Sequence, residues 1–442
     1  MRPVQQRALA AEPADIADEA TPPAFSGAPP GHRLRGRFLP DLLVVVALVA
    51  CVVAFFWPLL QGRMYSAAPS AQQGILPWAV QKVDYPRAVQ DDQAILSYPW
   101  QIFTTDTVRQ GSLPFWDPHD FGGYPFLTNG SAGVLNPVRL ALALTVDPVV
   151  AHELFSIFFL LAGGIFAYLL ARDLGLRRWG GSLAAVAWML SAWNLGWLHL
   201  EVVSPVIGLF PLGLLTVRRA VQRRPLGWTV LAAASLAWVL LSAHLLFGIV
   251  TVTICLFYGF ALGVAPLLRR QARSTAAPTV QGLLRLAGVT AGSVMLAAPM
   301  LLPTFLALQE SPRTRDPYAV FKKIWLAKPS WFLTTFVPAK LPLDYMILNY
   351  RLAFAGTATA LLAIVGLWSW RRPAVRLGAV LVCAIFLVAV GTPLTWLAYH
   401  LIPGMDVFRP YSRLMMWWPL GIALMAGTGL DWLVGRVAAS TN

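Results

Sequence analysis

Long apolar runs, broken by short arginine-bearing stretches, set the pattern of this chain. A helix that spans a bilayer needs about 20 mainly apolar residues, and the first such run is Leu42–Leu60. Others follow at His152–Leu170, Trp179–Leu198, Val202–Val217, Leu283–Leu306, Leu352–Trp370, Leu377–Leu397 and Leu414–Leu433. Apolar character also persists from Leu226 to Leu268, which as one helix would reach roughly 65 Å at 1.5 Å per residue. That is about twice the hydrocarbon thickness, so this run divides into two helices with a turn near Ser242–His244. The pattern predicts an all-α polytopic membrane protein with about ten transmembrane helices and a large first outer loop.

The order along the chain follows from those runs. Residues 1–40 form a disordered cytoplasmic leader and 41–60 the first transmembrane helix. Residues 61–151 make the first outer loop, and 152–308 carry helices two to seven. A basic outer loop covers 309–351, and helices eight to ten occupy 352–442. The leader is too long for a cleaved signal peptide and too acidic, with Glu12, Asp15, Asp18 and Glu19. The first helix is therefore expected to stay as an anchor.

Composition agrees and excludes a string of soluble domains. Charged residues make up 12% of the 442, about half the ~25% usual in soluble proteins, and 57% are hydrophobic. The formal net charge is +14, which by itself is compatible with nucleic acid, an anionic membrane surface or cytoplasmic loops. Placement decides between them. With the N-terminus inside, the inner side carries twenty basic and seven acidic residues, and the outer side fourteen and thirteen. Every short inner loop is arginine-rich, as the positive-inside rule requires. The basic residues thus flank helices, and nucleic acid is excluded as a partner. The chain is expected as a multi-pass protein of the cell membrane with a cytoplasmic N-terminus. Cys51, Cys255 and Cys383 all fall in predicted spans, which argues against disulfides, and no Cys/His metal spacing occurs.

Candidate chemistry sits outside the spans. Loops as long as the two large outer ones are uncommon unless functional. The first holds Leu113-Pro-Phe-Trp-Asp-Pro-His-Asp-Phe-Gly-Gly-Tyr-Pro-Phe126, an aromatic, proline-braced segment suited to an interfacial lid. Trp116, Asp117 and His119 are its candidate binding residues; the plain alternative is aromatic anchoring at the interface. The adjacent carboxylates Asp91 and Asp92 could supply a general base or bind a divalent cation. A like charge and a low-dielectric neighbour raise a carboxylate's proton affinity. The alternative is a pair of hydrated loop carboxylates.

The second loop carries Arg313, Arg315, Lys322, Lys323, Lys328, Lys340 and Arg351 against three acids. Long loops cross membranes largely regardless of charge, but paired cations also suit an anionic headgroup. A third outer element, Ile402 to Leu414, places Arg409 and Arg413 at the mouth of the last helix. They are either snorkelling end residues or a phosphate clamp. Ionisable residues inside the predicted spans are nearly absent, which counts against an ion-coupled carrier.

One resemblance is carried by an ordered set of motifs. Asp92-Gln-Ala-Ile-Leu-Ser-Tyr-Pro-Trp-Gln-Ile-Phe103, Arg109-Gln-Gly-Ser-Leu-Pro-Phe-Trp-Asp-Pro118 and Phe121-Gly-Gly-Tyr-Pro-Phe126 come first. His199 with Pro211-Leu212, Ser311-Pro-Arg313 and Pro403-Gly-Met-Asp-Val-Phe-Arg-Pro-Tyr-Ser-Arg413 follow. This set resembles YfhO-type bacterial membrane proteins of the GT-C superfamily of lipid-linked-sugar glycosyltransferases. The resemblance implies a multi-span enzyme that moves a sugar from a polyprenyl-phosphate donor to a cell-envelope acceptor on the outer face. It places the acceptor base at Asp92, with Asp91 beside it, and donor-phosphate contacts at Arg409 and Arg413, then Arg313. Relatives continue with more helices and an outer globular domain, whereas this sequence stops at Asn442. The resemblance then implies reduced acceptor recognition, a partner subunit supplying it, or a fragment. Competing expectations are a non-catalytic lipid or polymer transporter and an envelope-assembly subunit.

Overall fold

The computed structural model describes residues 30–63, 92–120, 122–222, 225–242, 244–268, 276–310, 315–337 and 353–440. Among these the chain is helical, with a single isolated bridge between Asp117 and Tyr124 and no strand. It divides into two units, Met1–Leu43 and Val44–Asn442. Of the first, the described part is the N-terminal half of helix α1 (Pro30–Phe55), which begins inside the stretch expected to be a leader.

The second unit contains α2 (Tyr98–Arg109), α3 (Pro137–Thr145), α4 (Pro148–Asp173), α5 (Arg178–Met189), α6 (Ala192–Trp197), α7 (Ser204–Gln222), α8 (Leu226–Ser242) and α9 (Leu245–Leu268). It continues with α10 (Ala276–Gln309), α11 (Tyr318–Ile324), α12 (Thr357–Gly366), α13 (Pro373–Ala389), α14 (Pro393–Leu401) and α15 (Trp418–Ser440). Five described helices are long and apolar enough to cross a membrane: α4, α7, α9, α10 and the segment ending in α15. A sixth span results if α12 and α13, bent by 120° at Trp370–Arg372, count as one. The molecule is an all-α membrane protein.

Local sequence sets these boundaries. Asp147 accepts from Val149 N at 2.9 Å ahead of Pro148, and Asn136 accepts from Val138 N at 2.8 Å ahead of Pro137. Each is an N-cap followed by a proline whose missing N–H costs nothing there. The expected turn near Ser242–His244 is present, since α8 ends at Ser242 and α9 starts at Leu245. It is tied down by His244 N donating to Val202 O at 2.8 Å and Leu245 N to Gly130 O at 2.7 Å.

Packing is closest where side chains are smallest. In lipid, helices associate through van der Waals contact, which small residues allow at short range. A Cβ at Gly208 of α7 would fall 2.6 Å from the Phe159 ring of α4. On α15, Gly421, Gly427 and Gly429 approach three different helices. Their built Cβ positions lie 2.7 Å from Gly378 O, 2.3 Å from Gly180 O and 2.0 Å from Leu362 O. Helix α15 is therefore a central post against which α13, α5 and α12 rest. Asp431 fixes the α5 contact, accepting from Arg177 N at 2.6 Å and Gly180 N at 3.1 Å. A carboxylate from one helix thus satisfies the orphan N–H groups that open another. The three cysteines are free thiols.

Candidate functional site

Asp92 stands immediately before a π-helical turn, Gln93–Ser97, that runs directly into α2. Such turns are rare and cluster at functional sites. Asp92 itself is exposed, while Gln93, Ser97, Gln101, Thr104 and Thr105 are all buried. These positions recur about every four residues, so a polar stripe of this segment faces inward. What it meets is a cluster of ionisable groups.

Arg139 of α3 is the hub. Its guanidinium donates to Gln101 Oε1 at 2.7 Å and Glu201 Oε1 at 3.0 Å, and lies 4.8 Å from the centre of the Phe155 ring. Glu201, between α6 and α7, also faces His152 Nδ1 at 3.5 Å. His152 Nε2 lies 3.1 Å from Gln93 Nε2. Tyr98 donates its hydroxyl to Glu153 at 2.9 Å. Arg139, His152 and Glu201 are each within 1% of complete burial.

Burial works to raise the proton affinity of Glu201, but His152, Arg139 and a hydrogen bond from Ser97 outweigh it. The Glu201 carboxyl consequently titrates below its usual range and stays ionised. His199, two residues earlier, is pushed down to about 4 by burial, with His152 adding to the effect. Asp92 and Glu201 oppose that shift through their charge. Asp92 thus lies within electrostatic reach of an imidazole that is neutral at pH 7.

The expectation that buried charge is nearly absent inside the spans is corrected at the first two residues of one span. His152 and Glu153 open α4 and are buried, and Arg139 and Glu201 join them from outside the predicted spans. A window of mean hydropathy misses them because each is a single polar residue beside a long apolar run. The signals available were the lone arginine in Pro137-Val-Arg-Leu-Ala-Leu and the four-residue spacing of polar groups after Asp92.

The other sequence candidates fall in three places. Asp91 and Arg313 lie outside the described residues. Trp116, Asp117 and His119 share one tight turn. Asp117 is buried, exchanges two backbone hydrogen bonds of 2.9 Å with Tyr124, and accepts from His119 N at 2.9 Å. Its carboxylate shapes the turn. Trp116 is 58% exposed, and its ring covers Gly123, where a Cβ would come within 2.8 Å.

Arg409 is hydrogen-bonded to the Asp316 carboxylate and lies 5.3 Å from the Trp325 ring centre. Asp316, which sequence reasoning did not single out, also accepts from Trp325 Nε1 at 2.8 Å. These donors hold the Asp316 carboxyl below the usual range, Trp325 first and Arg409 next. Arg413 is half-buried, 5.8 Å from the centre of the Phe247 ring. That ring meets His244 edge-on at 5.5 Å, and His244 is bonded to Val202, next to Glu201. One contact path therefore links Arg413 with the buried cluster. Among the described residues no group of three or more His, Cys, Asp or Glu side chains could hold a metal ion.

Comparison of the chain with protein-family models, curated proteins and solved structures gives no match.

Proposed function

We propose that this protein is a membrane glycosyltransferase of GT-C type that moves a sugar from a polyprenyl-phosphate donor to a cell-envelope acceptor. The reading takes the chain as ten spans with the N-terminus in the cytoplasm. In support, each predicted apolar run is occupied by a helix or a helix pair. It keeps the YfhO-type resemblance as the source of substrate class.

One observation carries the proposal. An exposed carboxylate, Asp92, is placed at the head of a segment whose next two turns are fastened into the Arg139–Glu201–His152 cluster. A general base needs a fixed position before it needs a tuned proton affinity. In the proposed step Asp92 takes the proton of the acceptor hydroxyl as that oxygen bonds to the anomeric carbon. The bond from that carbon to the phosphate oxygen breaks, and its electron pair leaves with the lipid phosphate. Arg413, with Arg409 and Arg313, stabilises the departing charge.

The buried cluster also favours a second reading, a proton-coupled carrier for lipid or polymer, because ionisable groups buried at the end of a span, as His152 and Glu153 are, suit such pathways. Reconstitution in liposomes separates the two. Purified protein, a polyprenyl-phosphate sugar and an envelope extract should yield sugar-labelled product, and Asp92→Asn should abolish it while insertion and folding persist. Product formed by Asp92→Asn at the parental rate sinks the base assignment. Substrate uptake driven by a pH gradient without product supports the carrier.

A further inference from the structure

A second feature starts from the other end of α4 and does not depend on the reading above. Helix α4 carries His152 near its first turn and Asp173 at its last, roughly 30 Å apart at 1.5 Å per residue. Around Asp173 the charge is positive. Arg218 and Arg219 share this one carboxylate at 2.9 and 2.5 Å. Arg376, at the start of α13, is exposed and donates to the Trp370 carbonyl at 3.3 Å.

From this arginine-rich end a cavity of about 580 Å³ runs between α9 and α13. It extends along α9 from Ala265 back to Val250, roughly 22 Å of helix. Its walls are almost wholly apolar, and its polar lining beyond Thr253 is Arg218, Gln222, Tyr258 and Arg376. Phe257 and Val380 line it and are 60% and 61% exposed, so it opens sideways toward the bilayer.

We propose that this groove holds an anionic phospholipid of the surrounding leaflet, its phosphate between Arg218 and Arg376 and one acyl chain along α9 and α13. Two guanidiniums share one carboxylate and a third lines the same cavity, which leaves net positive charge among its polar groups. Guanidinium is the group best suited to phosphate. Basic pockets between transmembrane helices recognise acidic headgroups in this way. The apolar slot takes a chain with no hydrogen-bonding demand, and the lateral opening lets it enter from the bilayer. Its arginines stand toward Asp173, the end of α4 opposite His152, while the far end of the slot reaches Met405 and Leu414.

The test is native mass spectrometry of the full chain in detergent, titrated with phosphatidylglycerol or phosphatidylcholine. One phosphatidylglycerol should be retained where phosphatidylcholine is not. Arg376→Gln, at an exposed position that leaves packing intact, should weaken retention roughly five-fold, the loss of one phosphate-facing charge. Ala384→Trp, which fills the slot, should abolish it. Equal retention of both lipids overturns the proposal, as does parental retention by both variants. Displacement of phosphatidylglycerol by an equimolar isoprenoid phosphate would also overturn it, assigning the groove to another lipid.

Discussion

The guanidinium of Arg139 donates to Glu201 at 3.0 Å with both side chains withdrawn from solvent. Such a pair is costly to assemble, and its strongest effect appears when one partner is removed. Arg139→Met leaves a buried carboxylate without its guanidinium partner and should cost about 3–5 kcal/mol, read as a fall in unfolding temperature in detergent. The double variant Arg139→Met with Glu201→Leu should recover most of that loss. If the cluster serves to position Asp92, this stable double variant will still transfer sugar poorly. Parental transfer by it would make the cluster purely structural.

The depressed affinity of His199 has a signed consequence. Unfolded, this imidazole titrates near 6.5; folded, it does so at about 4. Between those values the unfolded chain holds a proton that the native chain lacks, so native stability falls as pH drops through that window. Fully developed below pH 4, the loss is roughly 3 kcal/mol relative to pH 7. The neighbouring Asp92, Glu201 and His152 titrate as well, so the informative quantity is the difference between parent and His199→Gln. Unfolding temperatures from pH 7 to 4 should fall less steeply in the variant; parallel curves would contradict the assignment.

The α5–α15 contact predicts a packing defect. The Cβ of Gly427 would reach 2.3 Å from the backbone oxygen of Gly180, so Gly427→Val must push the helices apart. Overpacking a fitted site costs about 1–3 kcal/mol, and here backbone rather than a yielding side chain is struck. The variant should accumulate at lower level in membranes and unfold earlier. Gly435→Val on the same helix, where nothing lies within 4 Å, should behave as the parent.

Much of the helical layout could be read from apolar runs, because lipid leaves backbone polar groups little choice but the helix. Breaks within the runs were harder to see. Trp179–Leu198 reads as one span, yet Ser191 takes an extended conformation and accepts from Asn194 N at 3.4 Å, separating α5 from α6. Leu377–Leu397 likewise divides at Gly391, whose φ is +94°, before Thr392 caps α14 ahead of Pro393. The glycine, threonine and proline that cause this break are local signals, and averaging over a membrane-length window erases them. For the candidate site, Asp92 could be found by motif. Its supports could not, since Arg139, His152 and Glu201 come from three separate segments that only the tertiary fold joins. Nor did the sequence show that Arg409 faces Asp316.

That last pairing yields a prediction about donor binding. Asp316 neutralises Arg409 and ties it to Trp325, so the arginine is restrained by a carboxylate that competes with any incoming phosphate. Asp316→Asn keeps an acceptor for Trp325 but removes the competing charge. If Arg409 contacts the donor phosphate, KM for the polyprenyl-phosphate sugar should fall a few-fold with kcat little changed, as expected for a partly exposed ion pair. The effect should shrink at high salt, which screens exposed charges. A rise in KM would mean that Asp316 holds Arg409 in place for the phosphate. An unchanged KM would remove Arg409 from the donor site and leave Arg413 as the cation of the third outer element.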